Sequence, residues 1–206
     1  MNDAQAYWAR FEPHGEQLFR FDTRVYLDPV AKPRRRDAPI GCIVGKNPGS
    51  AVPATIRGGL QAIALQGDHF LPSVRAITAK AVAAVGVEPA PGAYVQVLNL
   101  FYVCNRDLRT AKRALAAQDR DQYLRCATER RSFAWRWFAW GGPDTLLDPL
   151  KTRFLRPRRA PAFYFDGASG EIVTRAPRLH DKARHTQGLA HTPIVTHLAA
   201  LMRTRR

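Results

Sequence analysis

A short apolar run that leads directly into a turn constrains the fold of this chain more than any other feature. Residues 40–44 (IGCIV) have the composition of a buried β-strand, and residues 45–50 (GKNPGS) follow without a break. Glycine tolerates positive φ angles and lets a ligand approach the main chain, while proline restricts the turn. Loops at strand ends are where open α/β sheets bind ligands. The motif therefore predicts a strand followed by a binding loop, although an ordinary Asn-Pro-Gly turn has the same sequence.

The rest of the chain reads as strands that alternate with helices. The predicted strands lie at 18–27, 40–44, 94–100 and 133–140, with a hairpin at 162–165 and 171–174. The predicted helices lie at 53–65, 74–85, 144–154 and 194–202, with Ser73 and Gly86 capping the second of them, and residues 107–117 and 119–131 are expected to form one or two more. This alternation predicts an α/β fold, a three-layer sandwich with a mainly parallel central sheet. We expect residues 1–38 to be an N-terminal lead-in with a basic connector and residues 39–206 to form one globular unit.

The chain is strongly basic, with 32 Lys and Arg against 17 Asp and Glu and a formal net charge of +15. Much of the excess is arginine in short clusters, at 34–36, 130–131, 156–159 and 203–206. Arginine binds phosphate through paired hydrogen bonds and stacks on bases, so nucleic acid is the predicted partner. An anionic membrane surface, an acidic protein partner or a compositional bias without functional meaning would account for the same excess.

Several classes of protein are disfavoured by what the sequence lacks. The three cysteines, at positions 42, 104 and 126, have no CxxC spacing, and no histidines lie at zinc-like spacing, so neither disulfides nor a metal are expected. No Walker A, GxGxxG, HExxH or GxSxG motif is present, and no cofactor is expected. No apolar run is long enough for a membrane span, so we expect a cytoplasmic protein without a membrane partner. The sequence does not indicate an oligomeric state.

The order of four short motifs resembles a known family. The motifs are Asn47-Pro48-Gly49, then Asn99-Leu100-Phe101, then Trp140-Gly141, and finally Gly188-x-x-His191 before the last helix. The first resembles the opening motif of the uracil-DNA glycosylase superfamily, and the whole order is more similar to the bacterial domain-of-unknown-function family 1643. The likeness covers residues 39–206. It implies a uracil-DNA-glycosylase-like fold and, as function, cleavage of the N-glycosidic bond of a modified or mismatched base, with DNA favoured over RNA.

The resemblance also implies roles for individual residues. Asn47 would hold the attacking water, and His191 would donate a hydrogen bond to the departing base, where negative charge develops. The implied substrate-binding residues are Gly45, Pro48, Gly49, Phe70, Asn99 and Phe101, with the aromatic rings stacking on a flipped base. The implied phosphate contacts are Arg57, Arg75, Arg156, Arg158 and Arg159. Two alternatives stay open: a non-catalytic DNA- or RNA-binding protein on the same fold, and a nucleotide-processing enzyme with a small substrate.

Overall fold

One mixed sheet of eight strands and four helices organise the chain in the computed structural model, which describes residues 4–65, 67–117, 124–156 and 159–204. The strands are β1 (Gln5–His14), β2 (Gln17–Val30), β3 (Pro39–Gly45), β4 (Leu60–Ala62), β5 (Tyr94–Asn99), β6 (Arg136–Phe138), β7 (Ala162–Phe165) and β8 (Ile172–Val173). The helices are α1 (Phe70–Val85), α2 (Leu108–Ala116), α3 (Asp148–Leu155) and α4 (His191–Arg203), with a 3-10 turn at Ala127–Arg130. None of the helices in the described ranges is long and apolar enough to cross a membrane.

The strand order in the sheet is β4-β1-β2-β5-β3-β6-β7-β8. Strand β3 runs parallel to both of its neighbours, β5 and β6, and β6 runs parallel to β7. The remaining pairs, β1–β2, β1–β4, β2–β5 and β7–β8, are antiparallel. The predicted α/β fold is therefore confirmed, whereas the prediction of a mainly parallel sheet is wrong. The error arises because residues 5–30 form a long antiparallel hairpin that extends the sheet beyond β5.

Two further differences from the predicted elements lie between β3 and α1. The predicted helix at 53–65 is absent, because the pair Gly58-Gly59 in its middle disfavours a helix and Gly59 has a left-handed φ of 80°. Residues Leu60–Ala62 instead form β4, which pairs with β1. Helix α1 begins at Phe70 rather than after Ser73, because the Asp68 carboxylate accepts the first free backbone N–H groups. Its predicted end is confirmed, with Gly86 in the left-handed conformation at φ 69°.

Other predicted elements are present with shifted ends. Helix α2 starts after Asp107, whose side chain accepts the Arg109 N–H, and the hairpin of β7 and β8 forms as expected. The predicted strand 133–140 is reduced to β6, and helix α3 starts later than predicted. Residues 119–123 of the helix predicted at 119–131 lie outside the described residues. In the described part, 124–131, the only helical element is the 3-10 turn Ala127–Arg130.

The helices cover both faces of the sheet. Along β3, Ile43 packs into a core cluster with α1 and α4, while Cys42 and Val44 pack into a second cluster with α2 and α3. Successive side chains of a strand point to opposite faces, so these two clusters are the two sides of the sheet. On α1, Leu71, Val74 and Ile77 are fully buried, and each contributes about 1.5–3 kcal/mol to folding.

The connections of the parallel strands place a crevice between β3 and β6. The chain leaves β3 toward α1 on one face and continues to β5, whereas it leaves β6 toward α3 on the other face and continues to β7. Adjacent parallel strands whose connections depart in opposite directions leave a gap at their carboxyl ends, which is where open α/β sheets bind ligands. The topology therefore points to the ends of β3 and β6 as the place to look for a site.

Candidate functional site

A cleft of about 420 Å³ opens at the carboxyl ends of β3 and β6. It is lined by the loop after β3 (residues 45–50), the approach to α1 (67–70), residues 140–141 after β6, and four further side chains, Arg106, Leu108, His185 and Gln187. A volume of this size lies within the usual range for small-molecule sites. The segments come from distant parts of the sequence and meet only through the topology of the sheet.

The loop after β3 presents Asn47 to the cleft. The Asn47 side chain is half-buried, and its Nδ2 donates a hydrogen bond to the carbonyl of Asn105 at 3.2 Å. With Nδ2 engaged, Oδ1 is the atom of the amide that can accept a hydrogen bond from a ligand or water. Gly49, which also lines the cleft, adopts φ 70°, a left-handed conformation that favours glycine.

Gly45 forms a floor without a side chain. A Cβ at this position would lie 3.0 Å from Oδ1 of Asn99 and 3.4 Å from Cζ of Phe70. Asn99 pairs with Gly45 in the parallel register of β3 and β5, and it is buried directly behind the floor. Its Nδ2 has no hydrogen-bond partner among the described residues. Asn99 therefore supports the floor of the cleft and does not line it.

Asp68 and Phe70 form the wall on the side of α1. Asp68 Oδ1 accepts hydrogen bonds from the backbone N–H groups of Phe70 (2.8 Å) and Leu71 (3.2 Å), which orients the carboxylate at the start of the helix. Its Oδ2 lies 3.9 Å from the guanidinium of Arg20, which is buried beneath the cleft. Burial lowers the pKa of Arg20, and the nearby Cys104 and Asp68 oppose that effect. The wall thus combines an aromatic ring with a fixed carboxylate.

His185 packs against Phe70, with ring centroids 4.7 Å apart and planes inclined by 31°. The backbone N–H of Gln187 donates to its Nδ1 at 3.3 Å, so the proton of the neutral ring is assigned to Nε2. Burial lowers the pKa of His185, Asp68 opposes this shift, and the positive charge of Lys46 adds to it. The side chain is therefore a neutral hydrogen-bond donor at neutral pH.

Lys46 brings an amine to the opposite side of the cleft. Its side chain is half-buried, and a Cβ on Gly141 would lie only 3.2 Å from its Nζ. Burial lowers the pKa of Lys46; Asp144 raises it, and Lys112 and Lys151 lower it further. The Lys112 ammonium donates to both carboxylate oxygens of Asp144, at 2.9 and 3.1 Å.

Five of the predicted catalytic or substrate-binding residues line the cleft, namely Gly45, Asn47, Pro48, Gly49 and Phe70. Asn99, Phe101 and His191 do not line it. Phe101 lies in the core on the face covered by α2 and α3, 3% exposed. His191 is the first residue of α4, and its Nε2 lies 3.5 Å from Oγ of Ser73. His185, six positions earlier in the loop that precedes α4, lines the cleft instead, and so does His69 just before α1.

The predicted phosphate-binding arginines are scattered. Arg57, Arg156 and Arg159 are exposed, and Arg158 lies outside the described residues. The guanidinium of Arg75 donates to the carbonyls of Tyr26 and Leu27, so it connects α1 to β2.

Besides Lys46, several cationic side chains lie on and just before α2. Arg106 lines the cleft itself, and Arg109 and Arg113 are exposed on the helix that follows. Sequence reasoning also missed Lys46, Asp68 and His185 as site residues. The available signals were that Lys46 precedes Asn47 in the motif, and that Asp68 lies two residues before Phe70.

No three His, Cys, Asp or Glu side chains of the described residues cluster in a way that would hold a metal ion. In comparisons with known proteins, no family model matches the chain, and no curated protein or solved structure is significantly similar to it. The chemistry of the cleft must therefore be inferred from its geometry.

Proposed function

We propose that this chain is a nucleic-acid-binding glycosylase that cleaves the N-glycosidic bond of a modified or mismatched base, on a fold of the uracil-DNA glycosylase type. The observation that carries the proposal is the convergence of Asn47, Asp68, Phe70 and His185 on one cleft at the ends of two parallel strands. These side chains supply an amide, a carboxylate, an aromatic face and a neutral imidazole, which together match the requirements of glycosidic cleavage.

The floor and wall of the cleft suit a flat base. Because Gly45 has no side chain, a planar ring can approach the backbone of β3 beside the ring of Phe70. Stacking of a base on an aromatic side chain contributes about 1–3 kcal/mol. A base inside a duplex would have to be flipped out of the helix to reach this position, which costs least for a mismatched or damaged base.

The polar groups match the charges that develop as the bond breaks. The sugar becomes cationic as the glycosidic bond lengthens, and the Asp68 carboxylate stabilises that charge while Asn47 orients the attacking water. Negative charge moves onto the departing base, and Nε2–H of His185 donates a hydrogen bond to it. A neutral imidazole serves this role without first losing a proton, and burial keeps His185 in that form.

The basic surface supplies the remaining attraction for a nucleic acid. The net charge is +15, and Arg106 lies at the cleft, where a phosphate next to a flipped nucleotide would be found. A small nucleotide would need only a few cations. The charge therefore favours a polymeric substrate over a free nucleotide.

The test is a scan for base release. Single- and double-stranded oligonucleotides carrying uracil, hypoxanthine, alkylated or hypermodified bases are incubated with the protein and assayed for abasic sites. We expect Asn47→Ala and His185→Ala each to lower turnover on the order of 10²-fold, with little loss of binding, because these groups act mainly in the transition state. His191→Ala should lower it much less, and the exposed His180→Ala is the matched control.

Other outcomes separate the alternatives. Binding of oligonucleotides without base release from any substrate would leave a non-catalytic binding protein. Hydrolysis of free nucleosides or nucleotides but not of oligonucleotides would indicate a nucleotide-processing enzyme. A loss of turnover with His191→Ala but not with His185→Ala would show that the cleft described above is not the active site.

A further inference from the structure

Among the described residues, Lys46 lies in the cleft without a carboxylate partner, in contrast to Lys112 and Lys151. Lys112 is paired with Asp144, with 2.9 Å between Nζ and Oδ2. The fully buried Lys151 is paired with Asp148, also at 2.9 Å. No carboxylate among the described residues forms an ion pair with Lys46. An amine in this position is not held by a structural salt bridge and is available for chemistry.

The surroundings of Lys46 bring its amine to the substrate space. Gly141 follows β6, lines the cleft and has φ 90°. A Cβ on Gly141 would lie 3.2 Å from Nζ of Lys46, so the absence of a side chain at Gly141 leaves room for the amine. Lys46 also precedes Asn47 directly, so the amine and the amide are presented by the same loop. Burial disfavours the protonated amine most, Asp144 opposes this, and the ammonium groups of Lys112 and Lys151 add to it, so the pKa of Lys46 is lowered overall. A lowered pKa is one of the conditions that activate lysine nucleophiles.

We propose that Lys46 is a nucleophile that forms a Schiff base with the aldehyde of an abasic sugar in this cleft, so that the protein also cleaves the strand at abasic sites. The inference rests on the proposed function, because an abasic sugar is the product that base release would leave behind. Its substrate class is the ring-opened 2-deoxyribose of a nucleic acid that has lost a base.

The chemistry requires no additional reactant except water. The neutral amine of Lys46 adds to C1′ of the open-chain aldehyde, and uptake of one proton from solvent with loss of one water molecule gives a protonated imine. The imine acidifies C2′, whose proton leaves to water. The electron pair forms the C2′–C3′ double bond as the C3′–O bond breaks, which releases the downstream strand with its 5′-phosphate. Hydrolysis of the imine then regenerates the lysine.

The test uses an oligonucleotide in which the abasic site has been made beforehand, so that base release by this protein is not needed. Sodium borohydride reduces an imine to a stable secondary amine, which links protein and oligonucleotide covalently. We expect a covalent adduct with the unmodified protein, and mass spectrometry of its peptides should locate the link at Lys46. Strand cleavage at the abasic site should appear in parallel samples without borohydride.

Two substitutions at Lys46 and one control decide the assignment. Lys46→Arg keeps the positive charge and should retain oligonucleotide binding while reducing the adduct about tenfold or more, and Lys46→Met should do the same. Lys80→Met is the matched control, since that lysine is exposed on α1 and does not line the cleft; it should retain the adduct. Thermal unfolding of each variant confirms that it is folded.

Absence of an adduct from the unmodified protein, at a concentration that saturates the abasic oligonucleotide, would overturn the inference. So would an adduct that persists in Lys46→Arg or maps to another lysine. Because the abasic site is preformed, trapping without base release would leave this inference standing while the proposed function failed. Base release without trapping would leave the proposed function standing while this inference failed.

Discussion

At the scale of single residues, two histidines that lie six positions apart in the chain differ in their surroundings. His185 packs on Phe70 and accepts a hydrogen bond from Gln187, whereas His191 begins α4 and lies beside Ser73. Only the first lines the cleft. Burial lowers the pKa of His185 below its usual 6.5, and it also lowers the pKa of His197, which packs edge-on against Phe163.

These shifts predict a stability that declines in mild acid. A histidine with a depressed pKa binds fewer protons in the folded state than in the unfolded state, so its contribution is complete above about pH 6.5 and is lost as the pH falls through the folded pKa. We expect the urea midpoint to be lower at about pH 5.5 than at about pH 7.5. His185→Gln should make that difference smaller, and so should His197→Gln.

The matched control is His180→Gln, because its side chain is 74% exposed and should not alter the pH dependence. A pH dependence that is unchanged in both the His185 and the His197 variants would show that other groups cause it. Asp181, with a pKa lowered to about 2, does not contribute here, because its effect appears only below the usual carboxyl range.

At the scale of elements, Arg75 joins a helix to a strand. Its Nε lies 3.1 Å from the carbonyl oxygen of Tyr26, and its Nη2 lies 2.7 Å from that of Leu27. These carbonyls are near the end of β2, where the hairpin of β1 and β2 meets α1. The arginine therefore stabilises the packing of α1 on the antiparallel part of the sheet, a role that the charge pattern did not indicate.

We expect Arg75→Met to lower the free energy of unfolding by about 1–3 kcal/mol, because the carbonyls of Tyr26 and Leu27 lose a charged donor. Arg156→Met, at an exposed position after α3, should change it by less than about 0.5 kcal/mol. Urea unfolding followed by circular dichroism measures both. If Arg75→Met instead weakened nucleic-acid binding and left stability unchanged, the phosphate contact inferred from the sequence would be correct.

At the scale of the whole molecule, the excess of positive charge has no single location. Arginines lie beside the cleft along α2, at Arg109 and Arg113, and also after α3, at Arg156 and Arg159. A nucleic-acid backbone that leaves the cleft along the protein surface would meet Arg109 and Arg113 before the arginines after α3, since Arg106, just before α2, lines the cleft. Arginines near the cleft should therefore contribute more to binding than the cluster after α3.

We predict salt-sensitive binding to both single- and double-stranded oligonucleotides, because contacts with phosphates release counterions. The double substitution of Arg109 and Arg113 by Gln should reduce the slope of log affinity against log salt by about two. It should also weaken binding to oligonucleotides of all sequences equally. The matched double substitution of Arg156 and Arg159 should reduce it less. Fluorescence anisotropy over a range of salt concentrations measures this, and an affinity independent of salt would contradict it.

Much of the fold and part of the site could be predicted from short stretches of sequence. Strand β3 with its Asn47 loop, strand β5, the left-handed Gly86 after α1 and the hairpin of β7 and β8 depend on a few consecutive residues. Such features reflect local composition, turn chemistry and spacing, which the sequence displays directly. The same local signals identified the Asn47 loop as a binding loop, and the family resemblance added Phe70, which lines the same cleft.

What only the tertiary structure decided depends on contacts between residues far apart in the chain. Residues 5–30 join the sheet edge through pairing with β5, and Leu60–Ala62 become a strand because β1 lies beside them. In the same way, packing selects His185 over His191 for the cleft and places Lys46 against Gly141. The burial, strand pairing and pKa of a residue depend on its neighbours in space, and a short stretch of sequence does not show which residues those neighbours are.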